Sequence, residues 1–433
     1  MIHHYFPHTE HDLKVMLDRC GVDSVDDLYA DVPESLLLKR EYNLPESMSE
    51  TEVRDFFSKL NDKNTTLKCF AGGGYYNHYV PSVIPYIISR SEFLTAYTPY
   101  QPEISQGTLQ YIFEYQSMMT RLTGLDVSNA SMYDGATATA EAMMMMVASA
   151  RKKNRVLVSA TILPQIYEVM KTYAHYHGIS LDIVPEKDGM TDRDALSQML
   201  KDNTDVAGVV VAQPNRYGII EDYSRLADEV HAGKGLLAMN CVASTLAALK
   251  TPGEWGADIA AGDGQSLGMP LNYGGPYIGF MTCTKALIRK LPGRIVGATL
   301  DSEGRRVFVL TLQAREQHIR REKATSNICS NQGLMSLYVT IYMGLMGTDG
   351  LQQVNRDSAA NAHYLADALT ATGKVSLKYP GAPFLNEFAV TTIAPADDII
   401  NTAVGAGINA GIKLGDHELL IAAPAMLTKA VLE

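Results

Sequence analysis

Cysteine is scarce in this chain of 433 residues, and Cys20, Cys69, Cys241, Cys283 and Cys329 stand far apart with no CxxC pair. That spacing excludes a disulfide framework or a thiolate zinc site and fits free thiols in a reducing cytoplasm. Apolar runs all break before the roughly 18 residues that a membrane span needs. Positive charge is also short, with 37 Lys and Arg against 48 Asp and Glu and a net charge of -11. No polybasic segment offsets that balance, so nucleic acid is not expected as a partner. The start, Met1-Ile-His-His-Tyr-Phe-Pro7, has no basic segment leading into an apolar core, so no secretory signal is expected. His4, His8 and His11 have helical metal-ligand spacing, but without an acidic or thiol partner they read as a solvated tail.

What remains is the composition of an ordinary globular protein, 46% hydrophobic and 20% charged, long enough for two or three domains. Residues 10–62 read as helices, with Ser49-Glu-Thr-Glu52 forming a capping box ahead of Val53–Leu60. Residues 70–107 carry Gly72 to Gly74, four prolines and six tyrosines without periodicity, which predicts an extended, ordered arm. From about 108 to 290 helical segments (109–122, 138–150) and strand-like runs at 155–159, 181–184, 206–212, 235–239 and 258–261 follow one another. Apolar strands separated by helices predict an α/β fold around a mostly parallel sheet covered on both faces. After about 325, helices at 334–346 and 358–369 precede strands near 375–394 and 418–423. The expected organisation is therefore a helical segment and arm (1–107), a large α/β domain (108–324) and a small α+β domain (325–433).

A second absence bears on chemistry: no lysine lies between Thr251 and Thr284. The strand at 258–261 runs into a glycine-bounded turn, where an enzyme using pyridoxal phosphate (PLP) in a fold of this type would carry its Schiff-base lysine. Gln265 and Ser266 stand there, and neither has an amine. Asn240 ends the preceding strand, where an aspartate would hold the pyridinium proton. Tyr133-Asp-Gly-Ala-Thr-Ala138 opens a helix whose free N–H groups suit an anion such as a phosphate, although an ordinary capped helix looks the same. Gln213-Pro-Asn-Arg-Tyr-Gly218 follows a buried strand, at the carboxyl end of a parallel strand where α/β ligands bind, and a plain connection would also fit. The methionines 143–146 read as core.

Two further segments are more specific. Thr95-Ala-Tyr-Thr-Pro-Tyr-Gln-Pro-Glu103 is a stiff wall of tyrosine and glutamine, suited to a neighbouring subunit or to its own domain. Arg315-Glu-Gln-His-Ile-Arg-Arg-Glu-Lys-Ala-Thr-Ser-Asn-Ile-Cys329 is a charge run that spacing alone would leave on the surface. Both resemble signatures of the glycine cleavage system P-protein family in its split, two-chain form. The similarity extends from Tyr5-Phe-Pro-His-Thr-Glu10 to Gly407-Ile-Asn-Ala-Gly-Ile-Lys-Leu-Gly415.

The resemblance implies a PLP-dependent transferase fold of the aspartate aminotransferase type (fold type I). It implies an alpha chain that works with a beta chain, glycine dehydrogenase subunit 2, in an expected alpha2beta2 assembly. PLP would be bound covalently by that partner, glycine would be decarboxylated, and the aminomethyl group would pass to the lipoyl H-protein. Asn77, Tyr97, Tyr100, Gln101, Arg315 and Gln317 are the residues expected to wall the partner's active site. Gly274 and Gly275 would approach its cofactor phosphate through their backbone. Asn240 and the ending Leu420-Ile-Ala-Ala-Pro-Ala-Met-Leu-Thr-Lys429 depart from the family pattern.

Overall fold

The computed structural model describes residues 5, 7–150, 152–324 and 326–432, so His4 lies outside the described residues. Two compact units are present, divided between Thr65 and Thr66. The first contains α1 (Glu10–Cys20) and α2 (Glu50–Asn61). Ser49 and Glu52 close the expected capping box on α2, and Thr9 and Asp12 close another on α1.

The second unit is built on seven strands: β1 (Val127–Ser128), β2 (Arg155–Ser159), β3 (Ser180–Val184), β4 (Val206–Gln213), β5 (Leu236–Val242), β6 (Ile259–Asp263) and β7 (Gly279–Cys283). Their spatial order is β1-β7-β6-β5-β4-β2-β3. The ladder from β3 to β6 is parallel, and β7 and β1 add antiparallel edge pairings. Every residue of β4 is buried, as a central strand covered on both faces requires. Alternate side chains serve opposite cores: Val209 and Val211 pack with Met239, Phe280 and Tyr342, whereas Val210 and Ala212 pack with Met143, Met146 and Ala261. The methionine run is core, as its composition predicts, with Met143, Met145 and Met146 fully enclosed.

The helices that matter for the site are α3 (Val83–Ile88), α4 (Gln106–Thr123), α5 (Gly135–Ser149) and α6 (Gly333–Ala371), the last broken at Gly347. A four-stranded antiparallel sheet follows, β8 (Val375–Leu377), β9 (Glu387–Thr392), β10 (Ile412–Gly415) and β11 (Glu418–Ala422), in the order β8-β9-β11-β10. The arm corrects one expectation. It is not wholly extended, because α3 forms within it; Pro85 stands in the first turn, where its missing N–H interrupts no helical hydrogen bond. Among the described residues no helix is long and apolar enough to cross a membrane, and all five cysteines are free.

Candidate functional site

The carboxyl ends of β4, β5 and β6 and the N-terminus of α5 meet at one crevice, where open α/β sheets bind ligands. The main polar side chains there bond to other groups of the chain. Asp134 caps α5 by accepting from the N–H groups of Ala136 (2.8 Å) and Thr137 (2.9 Å). The remaining N–H of the first turn, that of Gly135, donates to Asp263 Oδ2 at 3.1 Å. Asp263 Oδ1 accepts from the Gln265 N–H at 2.8 Å. A Cβ on Gly135 would lie 2.6 Å from the Asp263 nitrogen and 2.8 Å from its Cβ, so the end of β6 rests directly on the first turn of α5.

Gln265 and Ser266 are both fully enclosed. The Gln265 carboxamide bonds to the main chain of Tyr76 and Met269, and Ser266 Oγ accepts from the Ser244 N–H at 3.1 Å. Asn240 Nδ2 donates to Thr139 Oγ1 at 2.8 Å. The loop after β4 is similarly closed: Glu221 accepts from Thr161, Asn215 and the Thr191 N–H, all buried. These residues do not fit PLP. The turn after β6 offers no amine, Asn240 offers no carboxylate to a pyridinium, and two carboxylates already fill the anion-binding end of α5. The helix start read from sequence as a possible phosphate cup is thus a self-capped helix.

The expected wall residues fall into two clusters. In the first, Tyr75 stacks on Tyr277 with centroids 5.2 Å apart, bringing the start of the arm against the Gly274–Gly275 turn. Asn77 is exposed, and Tyr273 at the tip of that turn is 97% exposed. Gly274 and Gly275 have φ of +109° and +153°, and neither has a neighbour that a Cβ would strike. In the second cluster, the end of the arm meets the arginine-rich segment. Arg294 donates to the Tyr100 hydroxyl at 3.2 Å and to Asn331 Oδ1 at 3.0 Å, and its guanidinium lies 5.2 Å from the Tyr100 ring centre. His318 packs edge-on against Tyr100 at 5.8 Å. Arg315 is half-buried and donates to the carbonyls of Gly293 (2.9 Å) and Leu312 (3.1 Å), and burial lowers its pKa. Tyr97 is 83% exposed, and Gln101 and Gln317 are exposed as well.

Asp263, Arg294, Tyr76 and Glu387 organise these clusters and were not singled out by sequence. Asp263 had one signal, a carboxylate in a glycine-bounded turn at the end of a parallel strand. The others gave none, because their partners are distant in sequence.

Three buried carboxyls, Glu141, Asp263 and Glu387, have pKa values pushed up to about 7, in each case chiefly by burial. A carboxyl whose folded pKa lies above its unfolded value stabilises the fold most when both states are protonated. That contribution is lost as pH rises through the window from about 4.5 to about 7. Buried His78, lowered to about 4 by burial, works oppositely: its contribution is present above about 6.5 and lost as pH falls. Glu387→Gln removes one carboxyl and leaves His78 in place. Its stability relative to the unmodified chain is expected to improve by about 1 kcal/mol per pH unit across that window. Thermal melts of both proteins at pH 5, 6, 7 and 8 check this; a constant difference would contradict it.

The family model described as "Glycine cleavage system P-protein" matches residues 3–432. A relative from Moorella thermoacetica, "Probable glycine dehydrogenase (decarboxylating) subunit 1", is 48% identical over 95% of this chain and 92% of its own length. One of the same description from Listeria monocytogenes is 46% identical over 99% of this chain and 96% of its own. Among solved structures, the "Crystal structure of glycine decarboxylase (P-protein) of the glycine cleavage system, in inhibitor-bound form" superposes with a TM-score of 0.91. It shares 40% identity and covers 99% of this chain and 98% of that one. A Lactobacillus brevis glutamate decarboxylase, at 14% identity and a TM-score of 0.67 over 94% of each chain, shares the fold alone. The architecture is that of PLP-dependent fold type I enzymes, and the chain belongs to the glycine cleavage system P-protein family.

Proposed function

We propose that this chain is the alpha half of a two-chain, cytoplasmic glycine decarboxylase and is inactive alone. A beta chain, glycine dehydrogenase subunit 2, carries the Schiff-base lysine and binds PLP covalently. Glycine is decarboxylated there, and the aminomethyl group passes to the lipoyl H-protein. Gln265 and Ser266 stand at this chain's equivalent of the lysine turn.

The observation that supports the reading most is a contrast. The crevice that would hold a cofactor is tied up by Asp134, Asp263 and Gln265, while Asn77, Tyr97 and Gln101 are exposed on the arm. A stiff polar arm facing a neighbour's site can position glycine by hydrogen bonds and exclude water around the charge formed when carbon dioxide leaves. Arg315 and Gln317 stand in the adjoining segment, and Gly274 and Gly275 let a backbone turn approach the partner's phosphate.

The expected assembly has two copies of each chain and buries more than about 2,000 Å² per obligate interface. Size-exclusion chromatography and glycine–bicarbonate exchange with H-protein, on each chain alone and on the mixture, test this. Activity is expected only in the mixture, at the mass of the larger species. Full exchange by this chain as a monomer would refute the reading.

A further inference from the structure

The turn that lacks an amine is firmly occupied. Gln265 grips the main chain of Tyr76 on both sides: Oε1 accepts from its N–H at 2.9 Å, and Nε2 donates to its carbonyl at 3.0 Å. The second Nε2 hydrogen goes to the Met269 carbonyl at 2.6 Å. The Tyr76 phenol donates to Glu387 Oε1 at 2.7 Å, and Glu387 Oε2 accepts from the Gly73 N–H at 2.8 Å. Gly72 passes so close to the C-terminal sheet that a Cβ would lie 2.2 Å from Glu387 Oε2 and 2.7 Å from the Ala422 Cβ. Tyr75 is held by its stack on Tyr277. Residues 72–76 are therefore fixed by the turn after β6, by β9 and β11, and by Tyr277. Asn77 is the next residue, and it is exposed.

We infer that Gln265 is a positioning residue: the place where a lysine would stand instead clamps the arm and sets where Asn77 is presented. This rests on the reading that the arm faces a partner's active site. The chemistry selects an amide. A carboxamide offers one acceptor and two donor hydrogens in a plane and so matches the N–H and C=O of one extended residue, whereas lysine only donates and ionised glutamate only accepts. In this enclosed place either alternative leaves a Tyr76 main-chain group unmatched, which is costly when no water can replace it.

The test uses the full chain with Gln265→Met, which keeps the length without polar atoms, and Gln265→Asn, which keeps the amide but is too short. Hydrogen–deuterium exchange at the Tyr76 amide is expected to accelerate about tenfold in both, with protection in β4 unchanged. In the complex with the partner chain and H-protein, kcat for glycine–bicarbonate exchange is expected to fall about tenfold. Combined with Asn77→Ala, the two losses should not multiply, because both act through the same contact. Unchanged exchange at Tyr76, faster exchange with unchanged kcat, or losses that multiply would each overturn the inference. Failure of both variants to fold would assign Gln265 to the core and overturn it too. An inactive wild-type complex would sink the partner reading, while exchange at Tyr76 still decides the clamp.

Discussion

Of Asn77→Ala, Tyr97→Phe and Gln101→Ala, at least one is expected to slow glycine–bicarbonate exchange by about 10²–10³ while the two-chain complex still assembles. These side chains are exposed in the chain alone, so their removal takes nothing from its own packing. A rate loss would therefore report a contact made with substrate or cofactor across the interface. Tyr100→Phe is a different experiment. Its hydroxyl is committed to Arg294, a fully buried arginine whose Nε has no hydrogen-bond partner and lies 4.0 Å from Glu316 Oε2. Removing that acceptor leaves a buried cation with one hydrogen bond fewer and is expected to destabilise the chain by about 1–3 kcal/mol. Size-exclusion profiles, denaturant midpoints and exchange rates on the four single variants separate the two effects. Normal turnover in all three exposed-residue variants would leave the arm as scaffold only.

The second large effect is on stability. Gly135→Ala is expected to cost about 3 kcal/mol, because its Cβ would fall 2.6 Å from the Asp263 nitrogen, 2.8 Å from the Asp263 Cβ and 2.9 Å from the Gly262 carbonyl carbon. Two of these atoms are backbone of β6, which a rotamer change cannot move aside. The start of α5 and the end of β6 would have to separate, breaking the Gly135 to Asp263 hydrogen bond. Gly344→Ala is the control: it lies exposed within α6, and no atom comes closer to a Cβ there than Met118 Cε at 4.0 Å. It is expected to stabilise by about 1 kcal/mol through helix propensity. Urea midpoints decide the comparison, and a Gly135→Ala chain as stable as the original would contradict so close a contact.

Much of the fold was legible because its signals are local. The strands β2 and β4 to β6 are short buried apolar runs, and the capping box at Ser49 lies within four residues of the helix it opens. The arm helix α3 was hidden by Pro81 and Pro85, which read as breakers although the first turn of a helix accepts proline. The antiparallel pair Ile295–Leu300 and Arg306–Thr311 went unread as well. The site was less legible still. Gly135 finds Asp263 across 128 residues, and Tyr76 finds Glu387 across 311. A free helix N-terminus and a self-capped one have the same local sequence, so only the fold distinguishes an anion cup from a closed one. The arginine-rich run shows a smaller limit: spacing placed it at the surface, where residues 317–323 do lie, but Glu316 is buried and Arg315 half-buried against the main chain.

On the proposed function, this chain's own crevice is closed to PLP and the cofactor belongs to the partner. Titrating the isolated chain with PLP, reducing with borohydride and mapping any labelled lysine tests it most directly. No visible band from a lysine-linked cofactor and no stoichiometric label are expected until the partner chain is added, when a single lysine of the partner becomes labelled. One equivalent of pyridoxyl group fixed to a lysine of this chain, with or without the partner, would contradict it.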